Sequence, residues 1–425
     1  MVLCITVLQL IYNSWVEQMI DVYSKKELCC GCGLCASVCP KSAIEMKEDE
    51  LGIIYPIIDH EKCINCNLCR RKCPFVDNNV NKIKECYAAM NEKKAVLKKS
   101  ASGSMFGALA EDFLDKKGDV CGAEMYFKEG HVNVRHSLIE SPRDLEKLQG
   151  SKYVQSDTRD IYLAVMSKLE EGKKVFFSGT PCQVAAIKSF VGDKFVDNLF
   201  TVDIICHGVP SLKMFDDYIQ QVAMKKKILI HKFNFRDKRF GWGLDGSIEG
   251  IDDQGNEFFE QISPNSSSYY RFFLDGEIYR ESCYHCPFAR EERVGDLTIG
   301  DYWGVEKYSP ELLKENGGLF LKKEGISCLF VNTDKGKKML EIYGNSILKE
   351  KVDIEKIKIV NTQLTTPAES TKLRKTLMRS YLKKGYKKIE TIFFIKSKKD
   401  YIKWKVKETI KKILPGWIVN IIKNS

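Results

Sequence analysis

The chain has 425 residues, of which 44% are apolar, so it is too long for one small domain and can bury a sizeable core. Its net charge of +10 is concentrated at the end, where residues 372–425 hold 17 Lys and Arg against 3 Asp and Glu. The 17 cysteines come without a recognisable export signal, which excludes a disulfide-stabilised secreted protein and favours thiols or metal ligands in a reducing cytoplasm.

Residues 1–20 are apolar, but they lack the basic start of a signal peptide and are too short and too interrupted to span a bilayer. Met19 followed by Asp21 looks like the natural start of the module that comes next. We therefore expect either an over-extended start or a loosely packed N-terminal helix.

The pattern C-x-x-C-x-x-C-x-x-x-C-P occurs twice between residues 29 and 74. It is the pattern of bacterial two-cluster ferredoxins, in which the fourth cysteine of each run binds the other 4Fe–4S cluster. It predicts one cluster on Cys29, Cys32, Cys35 and Cys73, and a second cluster on Cys63, Cys66, Cys69 and Cys39. Structural zinc prefers ligands in separated pairs, so two identical runs of cysteines fit zinc poorly.

Residues 21–78 are predicted to form a single ferredoxin domain with an internal repeat. The fourth cysteine is expected to start a short helix at Lys41–Ala43, followed by a hairpin from Ile44 to Ile58. Cys30 breaks the spacing and is not assigned as a ligand. Because such clusters carry one electron at a time, the rest of the chain is expected to exchange electrons with them.

Residues 86–366 alternate predicted strands and helices, which indicates a central sheet covered by helices. The predicted strands are 119–127, 131–134, 174–178 and 199–205, and the predicted helices are 105–117, 158–171, one from Pro181, and one from Ser211 to about 224. The fold class is α+β: a two-cluster ferredoxin module, a mixed α/β domain and a basic helical tail.

Four further cysteines predict a third cluster. Cys283 and Cys286 form a C-x-x-C pair, Cys182 lies at a helix start that favours a thiolate, and Cys206 follows an apolar strand. If the two strands before Cys182 and Cys206 are parallel neighbours, both thiols emerge at the carboxyl edge of the sheet, where such sheets bind ligands. The alternative is a zinc site on the C-x-x-C pair with ordinary thiols elsewhere.

The run Ser102-Gly103-Ser104 precedes the helix that begins at Met105. Small residues there let a phosphate group approach main-chain N–H groups, although the same run also suits an ordinary turn with a helix cap. The polar and aromatic loops at 150–155 and 235–242 suit a flavin or an anionic substrate, and they equally suit a salt-bridged surface.

Residues 372–425 are rich in Lys, with interleaved Tyr, Phe, Trp and Ile. A solvated pair of helices is the simpler interpretation, and a surface that contacts anionic lipid or an acidic partner is the alternative. Nucleic acid is not expected as a partner, because no recognised binding motif accompanies the charge. The expected location is therefore cytoplasmic, with peripheral membrane contact through the tail as the variant.

Several motifs occur in a family-specific order: SASGSMFGAL at 100–109, GSKYVQS at 150–156, FFSGTPCQVAAIK at 176–188, DIICHGVPS at 203–211, FRDKRFGWG at 235–243 and RESCYHCPFAREERVGDLTIGDYWG at 280–304. With them the chain resembles the family of coenzyme F-420 hydrogenase/dehydrogenase beta subunits, in its bacterial form with a fused N-terminal ferredoxin, over roughly residues 21–305. Family members use FAD and 4Fe–4S clusters to exchange electrons with a deazaflavin coenzyme or a related acceptor, and the 7-hydroxymethyl chlorophyll reductases share the scaffold.

The resemblance implies FAD near Ser102, Gly103, Ser104 and the Gly179–Thr180 turn, and it supports the third cluster. Lys238 and Arg290 are the expected contacts of the flavin or the substrate.

The implied activity is that of an oxidoreductase in which FAD exchanges a hydride with a soluble carrier, such as coenzyme F-420 or another acceptor, and single electrons with the clusters. The implied partner is a ferredoxin or another redox protein. The alternatives are a non-catalytic electron carrier within a larger complex, a reductase associated with polysaccharide biosynthesis, and a sugar-modifying protein with structural clusters.

Overall fold

The computed structural model describes residues 21–76 and 79–398. The expectations for residues 1–20 and for the end of the basic tail beyond residue 398 lie outside the described residues. Within those ranges, none of the helices is long and apolar enough to cross a membrane.

The strands are β1 Ile44–Glu48, β2 Ile54–Ile58, β3 Glu85–Asn91, β4 Asp119–Lys128, β5 His131–Ile139, β6 Val175–Gly179, β7 Leu199–Ile204, β8 Ile228–Asn234, β9 Gly246–Asp252, β10 Glu257–Ile262, β11 Leu297–Asp301, β12 Ser327–Val331 and β13 Ile347–Lys351. The α-helices are Leu34–Ser37, Leu68–Arg71, Lys94–Lys98, Met105–Asp115, Leu145–Leu148, Ile161–Glu170, Pro181–Val191, Leu212–Lys226, Ser268–Leu274, Val305–Tyr308, Asp334–Tyr343, Ile354–Lys358 and Lys372–Lys384, and residues 386–398 are also helical.

The ferredoxin module shows the predicted internal repeat. The antiparallel hairpin β1–β2 lies between two matching one-turn helices, Leu34–Ser37 and Leu68–Arg71. Each helix follows a residue in the left-handed conformation, Gly33 at φ 76° and Asn67 at φ 59°. The two copies of the cysteine motif therefore fold in the same way.

The helix predicted at Lys41–Ala43 is wrong, and the segment is a turn. Ser42 has a positive φ of 48°, which a right-handed helix does not allow. The main-chain N–H of Ala43 instead donates to the sulfur of Cys39 at 3.3 Å. The fourth cysteine of the motif thus follows a helix, Leu34–Ser37, rather than starting one.

The large domain is built on a mixed sheet of eight strands in the order β13-β3-β12-β11-β7-β6-β4-β5. Strands β4, β6, β7 and β11 are parallel and occupy its centre, and antiparallel strands flank them on both sides. The predicted strands are present, with β5 extending further than predicted. The predicted mixed α/β domain is confirmed.

Helices cover both faces of this sheet. On one face, Phe113 of the helix Met105–Asp115 packs edge-on against Phe176 and Phe200 at centroid distances of 5.8 and 5.6 Å. On the other face, Val184 and Ile187 of the helix Pro181–Val191 pack in one cluster with Val175 and Phe177 of β6. Each such buried side chain contributes roughly 1.5–3 kcal/mol, so the central strands are rigidly held.

The first part of the basic tail packs against the body of the protein. Its residues Leu377, Tyr381, Tyr386, Ile389 and Phe393 are buried in the core that also contains the helix Leu212–Lys226 and the second sheet, β8–β10. These side chains recur at near-helical spacing, which gives residues 372–398 one apolar face and one basic face. A solvated pair of helices therefore does not describe this stretch.

Candidate functional site

The first set of ferredoxin cysteines converges on one small cavity. Cys29, Cys32, Cys35 and Cys73 line it together, with the first three on the loop and helix of the first copy and Cys73 from the second copy. Burial raises the pKa of Cys35 and raises that of Cys73 to about 11. Four thiols in this crossed arrangement are the donor set that the motif predicts for one cluster.

The second set forms the mirror arrangement nearer to solvent. Cys63, Cys66, Cys69 and Cys39 line a separate small cavity, together with residues of the ferredoxin module alone. Cys66 is exposed, and so is the neighbouring Ile64 at 56%. The first set thus includes the buried Cys35 and the second set the exposed Cys66, while the other six thiols are half-buried.

The third predicted set also converges. Strands β6 and β7 are parallel neighbours, as the prediction required, with Gly179 opposite Asp203 at their carboxyl ends. Cys182 follows β6 in the first turn of the helix Pro181–Val191, and Cys206 follows β7 directly. Cys283 and Cys286 close over this edge, and all four cysteines line the same large cavity.

The electrostatics of these thiols reflect how close they lie to one another. Burial raises the pKa of Cys206 well above its usual value, and the thiols of Cys283, Cys182 and Cys286 raise it further. The pKa of Cys182 is instead lowered to about 7, chiefly by the neighbouring thiol of Cys30 and further by the hydroxyl of Thr180, 3.1 Å from its sulfur. If these thiols ionise as ligands, their negative charges lie close together, so a compensating cation is needed beside them.

Among the described residues, no three Cys, His, Asp or Glu side chains come together as the ligands of a single metal ion do. The four sulfurs of a 4Fe–4S cluster surround a whole cube of iron and sulfide, so they stand further apart than the ligands of one ion.

The large cavity has a volume of about 550 Å³ and runs along the carboxyl edge of the sheet. Of the residues predicted to contact a flavin, Ser102, Ser104, Gly179 and Thr180 line it. Thr180 and Gln183 form a capping box at the start of the helix Pro181–Val191, so the turn is firmly held.

Three predicted contacts do not line the cavity: Gly103, Lys238 and Arg290. Because a side chain at Gly103 would collide with the carbonyl of Ala89, glycine is needed here for packing against the sheet rather than for the approach of a phosphate group. The Lys238 ammonium donates to the carbonyls of Ser102, at 2.7 Å, and Glu324, and burial lowers its pKa to about 8. Lys238 therefore ties two loops together.

Among the cavity residues that the sequence did not reveal, two have strongly shifted pKa values, and one of these lies in a quoted motif. Lys152 lines the cavity, donates to the carbonyl of Gln149 at 2.6 Å, and has its pKa lowered to about 7 by burial. His136 also lines it, and burial lowers its pKa to about 4. The signal for Lys152 was a lysine in the GSKYVQS run, whereas no motif surrounds His136.

His136 belongs to a hydrogen-bonded chain behind the cavity wall. Its Nε2 lies 3.1 Å from the carbonyl of Ser178 and its Nδ1 lies 2.9 Å from the Ser156 hydroxyl, which in turn accepts from Gln183 at 2.9 Å. A neutral ring that donates from Nε2 and accepts at Nδ1 satisfies this chain. The network fixes the turn that carries Thr180.

The far end of the cavity is aromatic and charged. Trp303 lines it and stacks on Trp242 at a centroid distance of 4.9 Å, with the Arg236 guanidinium 4.9 Å from the Trp303 ring centre. Asp301 accepts from Arg236 at 2.5 Å and from the Trp242 indole at 3.0 Å. A planar ligand could stack on such a platform.

The first cysteine loop of the ferredoxin module forms several main-chain hydrogen bonds to the large domain, and Lys72 of the second copy forms two more with Ser189. The carbonyl of Cys32 accepts from the hydroxyls of Thr158 and Tyr162, both at 2.7 Å. The side chain of Gln155 donates to the carbonyl of Cys30 at 3.2 Å. Cys30 lines both the first ferredoxin cavity and the large cavity, so the first and third sets are neighbours.

Residues 172–359 match the family model for the C terminus of the coenzyme F420 hydrogenase/dehydrogenase beta subunit, and residues 28–76 match that of a 4Fe-4S dicluster domain. The chain thus carries a region of the F420 hydrogenase/dehydrogenase beta-subunit family behind a 4Fe-4S dicluster domain. It is therefore an iron–sulfur protein of a family of oxidoreductases.

Two curated relatives match different parts of this chain. It is 23% identical over 245 residues to a subunit of the F(420)H(2) dehydrogenase of Methanosarcina mazei, which covers 53% of this chain and 67% of that one. It is 40% identical over 55 residues to an uncharacterized ferredoxin of Methanocaldococcus jannaschii, 13% of this chain and 70% of that one. Among solved structures, a chain of the F420-reducing [NiFe] hydrogenase complex from Methanosarcina barkeri aligns with a TM-score of 0.43 at 16% identity, over 71% of this chain and 94% of that one.

Proposed function

We propose that the protein is a flavin-dependent oxidoreductase with three 4Fe–4S clusters. The observation that carries the proposal is the position of Cys182, Cys206, Cys283 and Cys286, which share a wall of the large cavity beside the first ferredoxin set. Four thiols at each of three sites are the chemistry of cluster ligands. Cys30 remains outside the ligand sets.

The large cavity suits FAD in size and in polarity. Its volume of about 550 Å³ lies in the ordinary range for cofactor sites, roughly 300–1,000 Å³. Gln363 lines it with a buried side-chain oxygen that has no hydrogen-bond partner among the described residues. Lys152 also lines the cavity and offers a positive charge in its protonated form, and Ser102, Ser104, Gly179 and Thr180 complete the proposed contacts.

The three cysteine sets differ in exposure, which supports an order for electron flow. The second set is nearest to solvent, with Cys66 exposed, and suits exchange with an outside redox protein. The first set lies between the second and third sets, and the third set borders the cavity. With clusters bound at the three sites, this line would carry electrons between the solvent-facing set and the cavity. The ligands alone do not fix the direction, because cluster potentials span about −700 to +450 mV.

FAD, when bound, supplies both hydride exchange with a soluble carrier and single-electron exchange with clusters. The residues of this chain hold and orient it: Lys152 offers a charge to an anionic group, and the buried Gln363 oxygen accepts from a donor. The Trp303 platform, backed by Trp242 and Arg236, suits the planar ring of the hydride carrier. The neighbouring Asp301 already accepts a hydrogen bond from Arg236, so the role of Asp301 is to orient the Arg236 guanidinium.

A deazaflavin such as coenzyme F420 is the proposed carrier, because the Methanosarcina mazei relative is named as part of an F420H2 dehydrogenase. The same relative supports membership in a larger redox complex. A different acceptor, including one in polysaccharide biosynthesis, remains the alternative for the carrier.

Anaerobic purification with iron, sulfide and flavin quantitation tests the proposal. The wild type is expected to bind about twelve irons and one FAD, and C206S is expected to retain about eight irons. C328A is the matched control, because Cys328 is buried in β12 away from the proposed ligands and should keep the full iron content.

Two outcomes would contradict the proposal. Full iron retention in C206S rejects the third cluster. Wild-type protein that binds no flavin after reconstitution with FAD rejects the flavoenzyme and favours the non-catalytic electron carrier.

A further inference from the structure

Arg280 lies fully buried, 1% exposed, at the junction of the ferredoxin module and the large domain. Its guanidinium donates from Nη2 to the carbonyl of Cys29 at 2.7 Å and from Nη1 to the side-chain oxygen of Gln155 at 2.6 Å. Its Nε donates to the hydroxyl of Ser282 at 3.1 Å. These acceptors are polar, but none carries a formal charge.

The other deeply buried arginines have carboxylate partners. Arg236 pairs with Asp301 at 2.5 Å, Arg293 with Asp203 at 3.4 Å, and Arg374 with Glu281 at 3.0 Å. Arg280 forms no ion pair with a carboxylate in residues 21–76 and 79–398. A buried charge without a counter-charge costs several kcal/mol, so a compensating anion is expected beside it.

The groups beside Arg280 are two of the proposed cluster sites. It contacts the main chain of Cys29, a ligand of the first site, and it precedes Cys283, a ligand of the third site, by one turn. It also lines the large cavity together with the third set. Gly31 leaves room for it, since a Cβ at Gly31 would collide with the guanidinium.

A 4Fe–4S cluster held by four thiolates carries a net negative charge that grows by one unit on reduction. A buried cation beside such a cluster therefore stabilises its reduced form more than its oxidised form, and the low local dielectric strengthens the effect. The cavity of the second cysteine set is lined by residues of the ferredoxin module alone, so Arg280 does not line it.

We propose that Arg280 is the shared counter-cation of the first and third clusters and raises the reduction potentials of both. The inference rests on the proposed function, since it requires clusters at both sites. Arg280 is a positioning residue rather than a catalytic one. It contacts the loops that carry the cluster ligands, and its effect on the reduction potentials requires neither the hydride carrier nor the flavin.

The test is a redox titration of the anaerobic holoprotein followed by electron paramagnetic resonance, comparing wild type, R280Q and R280K. R280Q removes the charge and keeps one polar amide group at the position, so at a fixed potential the reduced-to-oxidised ratio of the first and third clusters should fall at least tenfold. A tenfold change is a shift of about 59 mV for a one-electron couple. The second cluster should stay within a small fraction of that shift.

R280K keeps the charge and loses the fork of hydrogen bonds, so it should restore both potentials towards wild type. A purely structural role predicts the opposite order, with R280K as disturbed as R280Q. R159M is the matched control, because Arg159 lies against the same cysteine loop at Gly33 but is half-exposed and paired with Asp157 at 2.6 Å. It should leave all potentials unchanged.

Should R280Q lose iron, Q155M is compared with Q155E: both lose the amide donor to the carbonyls of Cys30 and Gly31, but only Q155E places a carboxylate beside Nη1 while the arginine stays in position. The first and third potentials should fall in Q155E relative to Q155M, and equal potentials in the two variants would overturn the proposal. Unchanged potentials in R280Q with full iron and flavin would overturn it and leave the proposed function intact. Wild type without the iron of the third site would instead reject the proposed function.

Discussion

The two ferredoxin copies have the same cysteine spacing and the same local fold, yet they lie in different surroundings. The carbonyls of Cys29 and Cys32 in the first copy accept hydrogen bonds from Arg280, Thr158 and Tyr162 of the large domain. In the second copy the corresponding cavity is lined by module residues alone. The spacing thus determines which thiols come together, whereas the neighbouring domain determines what the assembled site can do.

The two copies should also differ in how cluster binding affects the stability of the protein. In the first copy, cluster loading and domain docking share the same loop, so each should stabilise the other. The loop that carries Cys63, Cys66 and Cys69 forms none of these hydrogen bonds, and the second copy contacts Ser189 of the large domain through Lys72 instead, so loss of the second cluster should disturb the interface less. The following tests probe this difference, beginning with the largest expected effect.

C35S and C66S should each lose about four irons, but they should differ in stability. Removal of the buried Cys35 ligand should lower the unfolding free energy of the whole protein by several kcal/mol, because cluster binding, loop folding and docking are coupled there. C66S should leave the thermal transition of the large domain in place. Iron analysis and anaerobic calorimetry measure both effects.

The control for this pair is C30A, which removes a buried thiol next to Cys29 that the spacing does not assign as a ligand. It should keep the full iron content. An equal loss of stability in C35S and C66S would contradict the contrast between the two copies.

The second test concerns the pH dependence of flavin binding beside Lys152. Burial lowers the pKa of Lys152 to about 7, and an anionic group of the flavin beside it should raise that pKa again. Binding then takes up a proton above pH 7, so flavin affinity should fall as pH rises, by up to about tenfold per pH unit. Fluorescence titration of the deflavinated protein between pH 7 and 9 measures the slope.

K152M should bind flavin more weakly at pH 7 and lose this slope. C66S should keep the slope, because the second cluster site is remote from the cavity. A slope that survives in K152M would assign it to another group.

The smallest expected effect is that of single hydrogen bonds at the docking loop. Y162F and T158V should each cost about 1 kcal/mol of stability, because the carbonyl of Cys32 keeps one of its two donors. The double variant leaves that carbonyl without either donor and should cost more than the two single changes together. Chemical denaturation of the holoprotein measures the three values, and strict additivity would contradict the shared-acceptor explanation.

The parts of the site that follow from local spacing could be predicted from the sequence. The cysteine runs assigned the members of both ferredoxin sets, and the apolar runs before Cys182 and Cys206 placed those thiols at one sheet edge. The turn at Lys41–Ala43 was mistaken for a helix because the left-handed Ser42 gives no signal in composition.

Other features depend on contacts between distant segments, and the sequence could not reveal them. Gly103 packs against β3 and β12, and Lys238 bridges two loops, so the local pattern around each residue could not show its packing role. The roles of Lys152 and Arg280 depend on their burial, and that of Arg280 also depends on its contacts with the ferredoxin module. The buried face of residues 372–398 was likewise hidden by the excess of lysine.

The convergence of β6, β7 and the C-x-x-C loop on one sheet edge also implies an order in which the sites can be assembled during biosynthesis. A ribosome completes both ferredoxin runs by Cys73, long before Cys283 and Cys286 emerge from the exit tunnel. The local loops can therefore receive iron and sulfide while the chain is still being made. A cluster at the proposed third site could be bound only after the central sheet has formed, so its assembly would be the last step of maturation and the one most sensitive to folding defects.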